Sequence, residues 1–189
     1  MNVFDFDNTI YDGESMLDLF FWYMKHDLSL IRFIPKVLFA AFKYKLGKIS
    51  FDEAFNKYAP FLEWYIAKLD DIRGDSVRFW DEHMQNIKPF YKDIHTDNDI
   101  IVTASFEITM EEICKRLGVS VCIGSQIDER TSKITRLCFR KRKVDAFFEA
   151  YPDAHIENFY TDSPKNDKAM IDIAENAYII KKNKIIKIK

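Results

Sequence analysis

The apolar positions change period along the chain. Val3, Phe4 and Phe6 form a short run that closes on Asp5 and Asp7, and Asn2 to Phe6 reads as a buried strand. From Glu14 to about Ile87 the spacing becomes helical and aromatic: Leu17, Phe20, Phe21 and Met24, then Phe51, Phe55, Tyr58 and Leu62. Ser50 followed by Glu53 is a capping-box signature that starts one of these helices. After Pro89 short apolar runs alternate with helical stretches. Ile100 to Val102 is a strand bounded by Asp99 and Thr103, and a helix from about Phe106 to Leu117 is stopped by Gly118. Strands at Val119–Ile123, Ile156–Thr161 and Tyr178–Lys181 alternate with helices through Val144–Ala150 and Asn166–Glu175. Strands alternating with helices predict an α/β core, a parallel sheet with helices on both faces. The core is expected over 1–13 and 88–189, interrupted after its first strand by a helical cap over 14–87.

Composition narrows the class. With 48% hydrophobic and 31% charged residues, five Gly and five Pro, the chain is neither disordered nor collagen-like. Its 189 residues accommodate one core and a small appended unit. A net charge of -2 gives no pull toward nucleic acid, although Arg140–Lys143 and Lys181–Lys189 are locally basic. Three cysteines without C-x-x-C spacing indicate neither a disulfide framework nor a zinc knuckle, and fit a cytoplasmic setting. Four scattered histidines show no ligand spacing. No signal-peptide pattern opens the sequence, and Arg32, Lys36, Lys43 and Lys45 interrupt its most apolar region.

In open parallel sheets ligands bind beyond the carboxyl ends of the strands. The polar residues there are Asp5, Asp7 and Thr9, then Thr103 and Ser105, then Asp162, Ser163 and Asp167. Acids and hydroxyls alone suit a hard cation, Mg²⁺, and a phosphate. Ser105 reads as a cap for the helix that follows it. Asp5-Phe6-Asp7-Asn8-Thr9 resembles the D-x-D-x-T motif of the haloacid dehalogenase superfamily of phosphatases, in the branch containing phosphoserine phosphatase. Ile100-Ile101-Val102-Thr103, Lys143 and Asp162 to Asp167 resemble its second, third and fourth motifs, in order. The resemblance implies a Rossmann-like core. It implies Asp5 as nucleophile of an aspartyl-phosphate intermediate, Asp7 as general acid and base, Thr103 as phosphate ligand and Lys143 as the balancing charge. Mg²⁺ would be held by the Asp5 carboxylate, the Asp7 carbonyl and Asp162, with Asp167 orienting waters or completing the shell. The implied partner is a small-molecule phosphomonoester.

Two features bear on the substrate. Glu14 stands where phosphoserine phosphatases place the acid that meets the substrate's amino group, and Tyr58 where they place the arginine for its carboxylate. Lacking a bidentate cation there argues against L-phosphoserine. Gly124–Ile127, Leu137–Phe139 and Tyr160–Ser163 are similar to the bacterial phosphatidylglycerophosphate phosphatase C type, which implies a lipid or glycerophosphate substrate as the alternative, with the enzyme peripheral to the inner face of a membrane. Leu28 to Leu46 is a helical stretch with a wide apolar surface and Arg32, Lys36 and Lys43 near one another. It either buries that surface in the cap's core or lays it in a membrane interface. A catalytically idle binding module is a third alternative. Asp7 argues against it, since mere binding needs no general acid beside a nucleophile.

Overall fold

The computed structural model describes residues 1–35, 39, 42–43 and 46–189. Its described strands form one seven-stranded sheet. Strand β1 (Asn2–Phe4) is central, with β2 (Ile100–Phe106), β3 (Val121–Asp128) and β4 (Lys133–Arg136) on one side; β5 (Asn158–Thr161), β6 (Asn176–Lys181) and β7 (Lys184–Lys187) lie on the other. The five middle strands pair in parallel, with Val3 opposite both Ile100 and Phe159. This is the expected α/β architecture. Edge strands β4 and β7 pair antiparallel with β3 and β6. Neither hairpin was anticipated, because Lys133–Arg136 and Lys184–Lys187 are too short and too polar to announce strands by apolar content.

The elements described between β1 and β2 are helical: α1 (Ser15–His26), a 3-10 turn (Leu28–Phe33), α2 (Phe51–Ile66), α3 (Ile72–His83), a 3-10 turn (Met84–Asn86) and α4 (Pro89–Ile94). The capping box forms as expected, with the Ser50 hydroxyl accepting from the Glu53 N–H and the Glu53 carboxylate accepting from the Ser50 N–H. The ends of the inserted stretch meet where Asp12 N–H donates to the Asn86 carbonyl at 2.8 Å and Lys88 N–H to the Ile10 carbonyl at 2.8 Å. The helices do not stand apart from the sheet. Leu19, Trp22, Phe79 and Trp80 join Phe4, Phe6 and Tyr11 in one buried cluster, and the Trp80 ring meets Phe6 and Tyr11 edge-on. Trp22, Tyr23, Tyr65, Phe79 and Trp80 of the insert are thus core, while Phe21, Phe39, Phe42 and Trp64 stay exposed.

On the other side of the sheet's sequence, α5 (Glu107–Leu117) ends at Gly118, whose φ of +72° supplies the left-handed stop that the sequence suggests. Helices α6 (Lys141–Ala150) and α7 (Lys168–Ile173) complete the layers. A second buried cluster joins Phe147 and Ala146 of α6 to Val3, Val102 and Phe159 beneath the sheet.

Candidate active site

The carboxyl end of β1 is where the chain turns most sharply. Thr9, Ile10 and Tyr11 N–H groups all donate to the Phe6 carbonyl, and Asn8 takes a φ of +56°, a conformation that asparagine tolerates better than most residues. The turn keeps Asp5 beside the sheet, where its N–H still donates to the Tyr160 carbonyl at 2.9 Å, and sends Asp7 toward the helical layer.

Asp5 is 7% exposed and both its oxygens are engaged. Lys143 Nζ donates to Oδ1 at 2.6 Å and Thr9 Oγ1 donates to Oδ2 at 3.0 Å. Lys143 is the third residue of α6 and is buried, unlike its exposed neighbours Arg140, Lys141 and Arg142. It reaches a second carboxylate, Asp167 Oδ1, at 2.8 Å. Asp167 Oδ2 accepts from the Thr161 hydroxyl at 2.6 Å, and Asp162 N–H donates to Thr9 Oγ1 at 2.8 Å. Thr9 thereby ties the loop after β1 to the loop after β5.

Asp7 is held from the helical layer. Ser15 N–H, at the start of α1, donates to Oδ1 at 2.7 Å, and the Ser105 hydroxyl donates to Oδ2 at 3.0 Å. The two serine hydroxyls lie 3.0 Å apart. Ser105 therefore does not cap the next helix, whose N-cap is Phe106 and has no side-chain cap, because β2 runs on to Phe106. Glu14 accepts from Asn8 Nδ2 at 2.6 Å. Lys88, the N-cap residue of α4 and almost fully buried, donates to the Asn8 carbonyl and lies 3.8 Å from Asp12.

These groups line a cavity of about 190 Å³ that includes Asp5, Asp7, Glu14, Lys143, Asp162 and Asp167. Most of the residues named from sequence are therefore brought together. Four are not in its lining: Thr9 and Ser105, which hold Asp5 and Asp7 from behind, and Thr103 and Tyr58. Thr103 is buried within β2, its hydroxyl accepting from Ser105 N–H at 3.1 Å, and the lining residue of that strand is Ala104. Tyr58, on α2, stands outside the cavity with Lys57 over its ring at 5.8 Å. Thr9 was visible as a polar strand-end residue without a role. The contributions of Asn8, Ser15, Lys88 and Thr161 carried no signal of their own, since each depends on contacts made only in the fold.

Five carboxylates face one lysine in this cavity, and the imbalance shows in their acidity. Burial, followed by the partly offsetting Lys143 charge, pushes Asp5 up to about 7. Burial also raises Asp7 against the hydrogen bonds from Ser15 and Ser105, and raises Glu14 and Asp162, each with a neighbouring acid adding to it. Burial disfavours the Lys143 ammonium, but Asp5 and Asp167 outweigh it and hold its pKa above the usual lysine value. One ammonium cannot neutralise this set, and a hard cation fits the excess. Among the described residues no three acids already form a closed metal cluster. Two carboxylates, a backbone carbonyl and water suit Mg²⁺, which keeps much of its hydration.

The family model for haloacid dehalogenase-like hydrolases matches residues 3–172. The chain belongs to that family, and is a hydrolase of its α/β class. No curated protein sequence matches it. Among solved structures it is similar to a protein of unknown function from Bordetella pertussis Tohama I, with 17% identity, 94% of this chain and 87% of that one covered, and a TM-score of 0.75. A phosphoserine phosphohydrolase-like protein from Francisella tularensis subsp. tularensis SCHU S4 matches at 14% identity, 93% and 84% coverage and a TM-score of 0.60. A substrate-bound phosphoserine phosphatase complex matches at 16% identity, 93% and 83% coverage and a TM-score of 0.55. At these identities the structural matches establish the shared fold.

Proposed function

We propose that the protein is a Mg²⁺-dependent phosphomonoester hydrolase that works through an aspartyl-phosphate at Asp5. The observation that carries this reading is the buried cluster of Asp5, Lys143 and Asp167 facing Asp7 across one small cavity at the carboxyl end of the sheet. Thr9 and Lys143 fix the Asp5 carboxylate from both sides, which orients one oxygen for attack on phosphorus. As the Asp5–phosphorus bond forms, the bond to the leaving oxygen breaks, and Asp7 protonates that oxygen. Burial raises its pKa, which favours the protonated form that this transfer needs. In the second half Asp7 takes a proton from water, the water oxygen attacks phosphorus, and the Asp5–phosphorus bond breaks to release phosphate. Lys143 balances the charge of the Asp5 carboxylate and the bound phosphoryl oxygens throughout. The metal, when bound, offsets negative charge on the transferring group; Asp5, the Asp7 carbonyl and Asp162 would hold it, with Asp167 supporting the shell through Lys143.

Thr103 then acts as a support of Ser105 and the strand end, with the phosphate contact left to nearer groups. The role proposed for Glu14 is substrate selection from the cavity rim, where it is exposed and tied to Asn8. We place Tyr58 outside substrate contact in the conformation described. The insert over 14–87 serves as the selecting cap. The core likeness to the phosphatidylglycerophosphate phosphatase C type makes glycerophosphate-bearing substrates the first to try.

A phosphate-release screen over soluble phosphomonoesters and lipid phosphates, with Mg²⁺ and with chelator, tests the reading. Release that requires Mg²⁺, and that Ca²⁺ supports poorly because its larger shell misplaces the in-line attack, is expected. Full activity in chelator, or no release from any phosphomonoester, contradicts it.

A further inference from the structure

The stretch between Asp27 and Asp52 carries a chemistry that the active site does not use. It holds five basic residues, Arg32, Lys36, Lys43, Lys45 and Lys48, and no acid, in a chain with a net charge of -2. Lys36 and Lys45, with Val37 and Leu38 of the predicted apolar surface, lie outside the described residues. The described ones have two sides. Leu30 is fully buried and the Phe33 ring stacks on Phe61 of α2 with centroids 3.7 Å apart, so one side is anchored to the cap. The other side faces out: Leu28 is 71% exposed, Ile31 48%, Phe39 54%, Phe42 59% and Leu46 51%. Lys43 stands 4.5 Å from the ring centre of exposed Phe39, and exposed Arg32 lies 4.9 Å from that of the anchored Phe33, so cations stand beside the aromatic residues of both sides.

Single exposed apolar side chains are ordinary, but a concentration of them in one segment is an interaction surface. Of the two ends the sequence left open for this stretch, burial in the cap's own core is met by Leu30 and Phe33 and not by these five residues. We infer that the segment docks the protein onto an anionic lipid bilayer, with Ile31, Phe39 and Phe42 entering the headgroup boundary and Arg32, Lys43 and Lys48 at the level of the lipid phosphates. A bilayer surface offers apolar depth and negative charge in the same plane, and long basic side chains lay their stems along the one while reaching the other. A second copy of the chain is the poorer occupant, since it would set five bases against five bases with no acid between. Among the described residues no helix is long and apolar enough to cross a membrane, so the contact is a surface one. The inference stands independently of the catalytic reading.

Co-sedimentation with vesicles tests it, comparing phosphatidylcholine alone with phosphatidylcholine and phosphatidylglycerol mixed, at low and high salt. Pelleting with the anionic vesicles only, weakened by salt, is expected. Arg32→Glu with Lys43→Glu should lower partitioning at least about tenfold, and Phe39→Ser with Phe42→Ser should also weaken it. Lys184→Glu, an exposed base on β7, should leave binding within about twofold, unlike the cap variants. Circular dichroism melts establish that each variant is folded without reference to catalysis. No pelleting at low salt, equal pelleting with neutral vesicles, equal loss with Lys184→Glu, or concentration-dependent self-association in place of vesicle binding would each overturn the inference.

Discussion

The loops at the carboxyl end of the sheet and the segment after Asp27 treat charge in opposite ways. In the first, Asp5, Lys143 and Asp167 are withdrawn from water and locked to one another, to Thr9 and to Thr161. In the second, Lys43 lies over the exposed Phe39 ring and Arg32 over Phe33, with no acid in the segment to meet them. Burying three charged groups with an excess of one carboxylate costs stability, because the desolvation penalty of ions often exceeds their mutual attraction. A fold keeps such a cluster where chemistry needs it. The exposed bases carry no such cost, and their effect is on what the protein meets outside itself.

The largest effect expected is on turnover. Asp5→Asn should lower kcat by at least about a thousandfold, roughly 4 kcal/mol of barrier, since an amide does not attack phosphorus. The same assay on Arg32→Glu with Lys43→Glu, using a soluble substrate, should show little change. Comparable losses in both would erase the contrast between the two regions.

Removing Lys143 strikes the buried cluster's cohesion. Lys143→Met leaves Asp5 and Asp167 facing one another without their shared ammonium, and should destabilise the metal-free protein by about 3–5 kcal/mol at neutral pH. Urea unfolding monitors this, and an unchanged midpoint would show that the ion pairs contribute nothing net.

Asp7→Asn sharpens the division of labour within the site. The loss should be severe for alkyl phosphates and much milder for p-nitrophenyl phosphate, whose leaving group departs without a proton. Equal losses with the two substrates would remove the acid role.

The smallest effect separates the regions by pH. Asp5 has a folded-state pKa of about 7 against 3.8 for the free group, so the folded state binds more protons than the unfolded one between these values. Stability of the metal-free protein should therefore be highest near the lower value and decline as pH rises toward about 7, by at most about 4 kcal/mol. Mg²⁺ should recover much of it at pH 8. Unfolding midpoints at pH 5 and pH 8, with chelator, read this directly. Asp5→Asn should reduce the dependence to what Asp7, Glu14 and Asp162 contribute, while Arg32→Glu with Lys43→Glu should retain it in full.

The sequence carried the parallel centre of the sheet well, because Ile100–Val102 is a continuous apolar run and Phe159–Tyr160 a short aromatic one, each ending in polar residues, and their ends converge by topology alone. The edge hairpins escaped it, since Lys133–Arg136 and Lys184–Lys187 owe their strand state to a neighbour and not to their own content. In the site, Asp5, Asp7 and Asp162 were legible as acids at strand ends, and Lys143 only through the resemblance to the superfamily's third motif. Ser105 was misread as a helix cap because nothing local shows that β2 continues past Thr103 to Phe106. Lys88 reaches the Asn8 carbonyl across 80 positions of sequence, a distance at which periodicity is silent. Leu28 to Leu46 presented one amphipathic pattern compatible with two environments, and only the exposure of individual side chains separates them.

The central claim is that phosphorus is transferred to Asp5, and chemical trapping tests it most directly. Borohydride added during turnover reduces an acyl phosphate to an alcohol, so an aspartyl-phosphate at position 5 would be converted to homoserine. Peptide mass spectrometry should find homoserine at residue 5 when substrate and Mg²⁺ are both present, and aspartate there when either is omitted. An unmodified Asp5 in enzyme that is visibly releasing phosphate, or homoserine at another acid of the site, would contradict the account.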